Sequence, residues 1–241
     1  MQYNILTVCD NTYFIFAKIL INSILDKCDT DKINSIIVVN NGLTDENIEY
    51  LQSKTDLIRV VDTGINTNFN GGVWGPDWQT NVKSKTVYLY KIIDELREPV
   101  LMLDSDMLVI EDLHNLAERG GDIQVCVRPG NSTPYIGYYF FSLNHEKSLP
   151  FIKQWCESTQ TSNTEGAKES PALVRTVLAF KPYMDIVEMN QSTVNVLEPK
   201  YMTEETHIIH FKGSSLPQDI PTLIKSRITD RGWDEYITNY V

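Results

Sequence analysis

The chain has 241 residues, of which 42% are hydrophobic and 22% charged, so it can bury a globular core without covalent staples. Its net charge of -11 and sequence pI near 4.8 exclude a general electrostatic attraction to nucleic acid or anionic membranes. The four cysteines are widely spaced and no apolar stretch is long enough to span a bilayer, so we expect a cytoplasmic protein with reduced thiols.

The first part of the chain alternates strand and helix patterns. Strands are predicted at 4–8, 35–39 and 57–61, and helices between them at 13–25 and 44–51. This order predicts an α/β fold with a doubly wound, mostly parallel sheet flanked by helices. Such sheets bind ligands beyond the carboxyl ends of their strands, and Asp10 follows the first strand there. A simple helix cap is the alternative role for Asp10.

Residues 66–80 are rich in glycine and also contain a proline, Trp74 and Trp78, which predicts a loop. Its tryptophans would either stack on a sugar or base, or cover the core. An amphipathic helix is predicted at 83–96, with Lys85 in its first turn. The helix dipole disfavours a cation there, which points to a nearby anion, although exposed lysines are the commoner explanation.

Residues 100–110 place two carboxylates, Asp104 and Asp106, between two apolar runs that contain no Lys or Arg. In extended backbone the two side chains share one side, and buried charges need a compensating partner. Two hard oxygen ligands suit Mg²⁺ or Mn²⁺. A helix cap is the alternative, but the residues after Asp106 do not form an amphipathic first turn. Because like charges repel, removing Asp106 is expected to leave the metal-free fold intact and slightly more stable.

The pattern after residue 110 is less regular. Strands are predicted at 123–127 and 138–143, and helical segments at 149–158, 171–180 and 220–241. Glu169 stands just before the second of these helices, where its default role is to favour the helix dipole. Gly137 lies in an aromatic stretch and permits a ligand to approach the backbone closely.

The segment 206–213 combines two histidines with a lysine and a glycine. In extended backbone His210 and Lys212 face one side, while His207 faces the other together with Ile209. His210 and Lys212 beside Gly213 could complete a metal–phosphate site. The alternative for His210 is a core histidine whose hydrogen bonds are satisfied within the protein.

Together these pieces resemble the GT-A nucleotide-sugar glycosyltransferases of family 8 and its relatives. Four ordered pieces carry the resemblance: Asp10 and Tyr13 after the first strand, the lysine-bearing helix 83–96, the DxD-like Asp104-Ser105-Asp106, and His210-Phe211-Lys212-Gly213. Glu169-Ser170 stands where the family has an Asp-Gln or Asp-Glu pair.

The resemblance covers the whole chain and implies a single Rossmann-like GT-A domain over 1–241. Its nucleotide-sugar-binding half would be 1–110, and 111–241 would form the acceptor-binding half and C-terminal segment. The resemblance implies Mn²⁺ or Mg²⁺ bound by Asp104, Asp106 and His210. It also implies a UDP-sugar donor, with contacts from Val8, Asp10, Tyr13, Lys85, Asp104, Ser105, Gly137, Lys212 and Gly213.

The implied reaction moves a hexose to an acceptor hydroxyl, with retention as in family 8. Lys212 would act as a catalytic cation at the diphosphate. Glu169 would stabilise an oxocarbenium-like centre under retention, or act as the base for the acceptor hydroxyl under inversion. The acceptor is left open among a glycan, a protein, a small molecule and a modified nucleobase, although the acidic charge disfavours nucleic acid. The oligomeric state is also left open.

Two other functions compete with this one. A non-catalytic nucleotide- or sugar-binding module would tolerate the aspartate pair but would not need His210 and Lys212 together. A nucleotidyltransferase also uses two carboxylates and a divalent ion, but it would have a phosphate-binding loop rich in glycine and basic residues near its N-terminus. The residues that follow Asp10 do not form such a loop.

Overall fold

The computed structural model describes residues 1–67, 75–161, 169–212 and 220–240. The strands of this part are β1 (Tyr3–Cys9), β2 (Ile33–Asn40), β3 (Ile58–Asp62), β4 (Val100–Leu103), β5 (Met107–Val109), β6 (Ile123–Val127), β7 (Tyr135–Ser142), β8 (Ile186–Asn190) and β9 (Ile208–His210). Its α-helices are α1 (Phe14–Lys27), α2 (Asp45–Gln52), α3 (Pro76–Leu96), α4 (His114–Ala117), α5 (His145–Gln160), α6 (Glu169–Phe180), α7 (Gln191–Val194), α8 (Ile220–Arg227) and α9 (Asp234–Ile237).

Seven strands form one mixed sheet in the order β3-β2-β1-β4-β7-β6-β8. Only β7 runs antiparallel to its neighbours, so the predicted α/β fold with a mostly parallel sheet is confirmed. The chain builds outward from β1 to β3 and then crosses to β4 on the other side of β1. The carboxyl ends of β1 and β4 therefore meet at a topological switch point, which is where open α/β sheets bind their ligands.

Alternate residues of the central strands pack into two layers. Ile5 and the other residues on its side of the sheet pack against α1, whereas Leu6 and its neighbours pack against α3, α5 and α6. This two-sided burial explains why the strands are apolar throughout rather than alternating. The sheet is thus packed between helices on both of its faces.

The two short strands β5 and β9 form a separate antiparallel ribbon. Met107 lies opposite His210, so this ribbon brings the end of the aspartate segment to the histidine segment. A third apolar cluster, which includes Phe16, Leu108, Ile209 and Trp233, packs the C-terminal part of the chain onto α1 and the ribbon.

Among the differences from the sequence predictions, three concern α3 and the C-terminal segment. Helix α3 begins at Pro76, so Trp78 is helical rather than part of a loop, while Trp74 lies outside the described residues. Lys85 consequently lies in the middle of α3. The prediction that it stands in the first turn, where the helix dipole disfavours a cation, was wrong. The predicted helical segment 220–241 is divided into α8, a 3₁₀ turn and α9, and Gly232, with a left-handed φ of 76°, ends the turn before α9.

Among the helices described, none combines the length and the apolar character that a bilayer crossing demands.

Candidate functional site

The two aspartates lie at the carboxyl end of β4, in the short break before β5. Asp104 directly follows β4, Ser105 is buried in the turn, and Asp106 directly precedes β5. The two apolar runs predicted around them are these two strands. The carboxylates therefore sit at the switch point, next to the end of β1 and Asp10.

His210 meets Asp106 through the β5–β9 ribbon. Its Nε2 lies 3.1 Å from Asp106 Oδ1, and its Nδ1 lies 2.6 Å from the Asn195 side-chain oxygen. With Nδ1–H donating to Asn195, Nε2 is the ring nitrogen that faces the carboxylates and could bind a metal. His207 contacts the carbonyl oxygen of Glu205 instead and does not join the site.

The donor set fits a divalent cation. One ligand atom from each of Asp104, Asp106 and His210 lies within 4.8 Å of the others. Carboxylate oxygens with one imidazole nitrogen suit Mn²⁺ and, less specifically, Mg²⁺. The structure thus brings together the three residues that the sequence predicted as metal ligands.

Arg227, at the end of α8, also contacts this group and was not predicted from the sequence. Its guanidinium donates to Asp106 Oδ2 at 2.7 Å and to the Tyr13 hydroxyl at 2.8 Å. Burial raises the pKa of Asp106, but His210 and Arg227 together hold it below its usual range. No motif marks Arg227, and the only signal for it was the need of a buried carboxylate for a partner.

Lys85 joins the site from the middle of α3. Its ammonium donates to Asp104 Oδ1 at 2.6 Å and to the Gly137 carbonyl at 2.9 Å, and it forms an ion pair with Glu169 Oε1 at 2.7 Å. Burial lowers the pKa of Lys85, but Asp104 and Glu169 outweigh that effect and raise it above its usual value. Lys85 is therefore a fixed positive charge between two carboxyl groups.

Glu169, at the start of α6, occupies the space beside Gly137. A Cβ at Gly137 would overlap the Glu169 carboxylate, so the glycine makes room for this side chain. Burial raises the pKa of Glu169 to about 7, with Lys85 acting in the opposite direction. A carboxyl group with such a pKa is suited to proton transfer near neutral pH.

Lys212 lies across the site on the Tyr138 ring, and Gly213 after it lies outside the described residues. Its ammonium donates to the Tyr138 hydroxyl and stands 4.3 Å from the ring centroid. Burial and the neighbouring Arg128 lower the pKa of Lys212. Neither Tyr138 nor Arg128 was predicted from the sequence as a site residue.

Asp10 at the end of β1 is engaged by the chain's own donors. Its Oδ1 accepts from the Tyr13 backbone N–H at 3.0 Å, and its Oδ2 accepts from the Asn81 side chain at 2.8 Å. Asp10 therefore closes the turn before α1 and does not cap the helix, whose N-cap residue is Tyr13. Val8 lies two residues before Asp10, at the same carboxyl end of β1.

No family model matches the sequence, and no curated protein matches it. The structure, however, is similar to solved glycosyltransferase structures. It matches an active-site mutant of LgtC with a TM-score of 0.63 at 13% identity, covering 92% of this chain and 94% of that one. It matches galactosyltransferase LgtC in complex with donor and acceptor sugar analogues with a TM-score of 0.58 at 12% identity and the same coverage.

It also matches the bifunctional glycosyltransferase WbbM, with a TM-score of 0.63 at 12% identity. That match covers 99% of this chain and 51% of the WbbM chain. At these identities the likeness establishes the fold, which is the GT-A fold that the sequence resemblance implied.

Proposed function

We propose that this chain is a metal-dependent glycosyltransferase that moves a hexosyl group from a nucleoside-diphosphate sugar to an acceptor hydroxyl. The observation that carries the proposal is the cluster of Asp104, Asp106 and His210 at the switch point of the sheet. It lies in a fold shared with a galactosyltransferase whose structure holds donor and acceptor sugar analogues.

The cation would be bound by Asp104, Asp106 and His210, and it would supply Lewis-acid neutralisation of the diphosphate leaving group. Asn195 orients the His210 ring so that Nε2 remains available. Lys212 adds a second positive charge, and its position on the Tyr138 ring fixes where that charge lies. Charges held in place before the reaction stabilise a developing anion most effectively.

Lys85 and Glu169 would line the sugar side of the site. Lys85 forms ion pairs with both Asp104 and Glu169, so it fixes the positions of these two carboxyl groups relative to each other. If the reaction proceeds with retention, as we propose from the family resemblance, Glu169 stabilises the oxocarbenium-like centre. If it proceeds with inversion, Glu169 takes the proton of the acceptor hydroxyl, for which a pKa of about 7 is suitable.

We propose uridine diphosphate as the nucleotide, with Val8, Asp10, Tyr13 and Ser105 on the nucleoside side. The half 1–110 would then bind the donor, and 111–241 would carry the acceptor surface as well as His210, Lys212 and Glu169. The acceptor would be a glycan, a protein or a small molecule. The free cysteines would suit a cytoplasmic setting, which cell fractionation would test.

A donor-hydrolysis assay tests the proposal, because glycosyltransferases slowly hydrolyse their donors. Purified protein is incubated with UDP-hexoses in Mn²⁺ or in EDTA, beside the variant Asp106→Asn. We expect hydrolysis that needs Mn²⁺ and is lost in the variant. Nucleotide binding without turnover would instead indicate a binding module, and release of pyrophosphate from nucleoside triphosphates would indicate a nucleotidyltransferase.

A further inference from the structure

Arg227 already pairs with Asp106, which is one of the three candidate metal ligands. The Asp106 carboxylate has His210 on Oδ1 and the Arg227 guanidinium on Oδ2, so both oxygens are engaged. Arg227 is only 3% exposed, and its ion pair with Asp106 is the shorter of these two contacts. A divalent cation that used Oδ2 would have to displace the guanidinium from it.

The charges of the two aspartates are balanced without any cation. Lys85 pairs with Asp104 at 2.6 Å, and Arg227 pairs with Asp106 at 2.7 Å. A divalent cation alone would leave the site with a surplus of two positive charges beside a buried guanidinium. A diphosphate entering with the cation would restore the balance, because its two negative charges offset that surplus.

We propose that Arg227 is a binding residue for the donor's diphosphate. Its guanidinium exchanges Asp106 for a phosphate oxygen when cation and nucleotide bind. The inference rests on the proposed function of the site. A guanidinium is planar and presents paired N–H donors, which match phosphate oxygens better than an ammonium does. Its second hydrogen bond, to the Tyr13 hydroxyl, keeps Arg227 beside Asp106 after that contact is released.

The exchange couples the two ligands. A cation that binds Asp106 Oδ2 without nucleotide breaks the Arg227–Asp106 ion pair and leaves the guanidinium buried without an anion, which weakens the binding of the cation. Diphosphate binding removes that penalty, so each ligand tightens the binding of the other. Removing Arg227 should therefore help the cation and harm the diphosphate, opposite effects that a merely structural residue would not produce.

The test compares the wild type with Arg227→Met and Arg231→Met. Arg231 lies in the same C-terminal region and donates to the Leu197 carbonyl, so it serves as the matched control. Electron paramagnetic resonance titrations measure Mn²⁺ binding without nucleotide. Calorimetry at saturating Mn²⁺ measures the binding of whichever of UDP, GDP, CDP and ADP gives the largest thermal shift with the wild type.

We expect Arg227→Met to bind Mn²⁺ alone at least tenfold more tightly and the nucleoside diphosphate at least tenfold more weakly. Arg231→Met should match the wild type in both. If Arg227→Met does not fold, Arg227→Lys keeps the charge without the planar group, and only its nucleotide affinity should fall.

Unchanged or weaker Mn²⁺ binding by a folded Arg227→Met would overturn the inference, while leaving the proposed glycosyltransferase standing. A folded Arg227→Lys with the nucleotide affinity of the wild type would also overturn it. No Mn²⁺ binding by any variant, at millimolar metal, would overturn the metal role and this inference together.

Discussion

The buried carboxylates of the site are compensated by side chains that lie far from them in the sequence. Lys85 lies 19 residues before Asp104, and Arg227 lies 121 residues after Asp106. The apolar run around the two aspartates shows that partners must exist, because buried charges are costly when unpaired. It cannot show which residues they are, since only the packing of α3 and α8 brings them there.

Removing the Asp106 carboxylate should destabilise the metal-free protein. We expect Asp106→Ala to lower the free energy of unfolding by about 3 kcal/mol or more, because Arg227 would remain buried without its anion. The sequence led to the opposite expectation, since repulsion from Asp104 was then the only known interaction. Urea unfolding in EDTA measures the change, and the exposed Asp56→Ala serves as control. Equal or higher stability of Asp106→Ala would show that the pair with Arg227 contributes nothing.

The raised pKa of Glu169 makes stability depend on pH. In the folded protein this pKa is about 7, against an ordinary value of 4.5, because burial disfavours the charged form. Between these pH values the folded state keeps a proton that the unfolded state has lost. The contribution of Glu169 to the free energy of unfolding is therefore fully present below pH 4.5 and is lost as the pH rises through about 7.

Glu169→Gln isolates that contribution, because Gln resembles the protonated carboxyl group at every pH. Relative to this variant, the wild type should lose about 3 kcal/mol of unfolding free energy between pH 4 and pH 8. Urea unfolding across this range in EDTA supplies the measurement, with the exposed Glu204→Gln as the matched substitution. A difference between wild type and Glu169→Gln that stays constant with pH would mean that Glu169 ionises at its ordinary pKa.

At the scale of elements, the sequence predicted the parts whose patterns are local. The strands at the core of the sheet and helix α1 follow from uninterrupted apolar runs and helical spacing. Strand β8 was missed because it is half exposed and lies at the sheet edge, so its pattern is weak. The start of α3 was missed because the glycines before Pro76 suggested a loop, although proline is favoured in a first helical turn.

The direction in which the side chains of β9 and its preceding residue point decides which histidine reaches the site. His210 faces Asp106, whereas His207 precedes the strand and contacts the Glu205 carbonyl. We expect His210→Ala to weaken Mn²⁺ binding at least tenfold, and His207→Ala to cost some stability without changing that affinity. Mn²⁺ titrations of the two folded variants compare them directly. Loss of metal binding in His207→Ala alone would assign the wrong histidine to the site.

At the scale of the whole molecule, the site is assembled from segments spread over almost the entire chain. β1 and β4 supply carboxylates at the switch point, α3 and α6 supply the Lys85–Glu169 pair, and the C-terminal region supplies His210, Lys212 and Arg227. The DxD and His-x-Lys segments were recognisable because their residues are close in sequence. Tyr138, Asn195 and Arg227 were not, because each joins the site only through tertiary packing.

Such an assembly links ligand binding to the stability of the whole fold. Ligands that bind only the folded state stabilise it by RT ln(1 + [L]/Kd), or about 2.7 kcal/mol at one hundred times Kd. For a chain of this length that corresponds to a rise in Tm of roughly 5–10 °C.

We expect Mn²⁺ with UDP to produce such a rise, and EDTA or Asp106→Asn to remove it. Mn²⁺ alone should give a smaller rise, because it has to displace Arg227 from Asp106 without a diphosphate to take its place. Stabilisation by GDP and not by UDP would refute the uridine donor, and no shift with any of the four nucleoside diphosphates would refute the donor site itself.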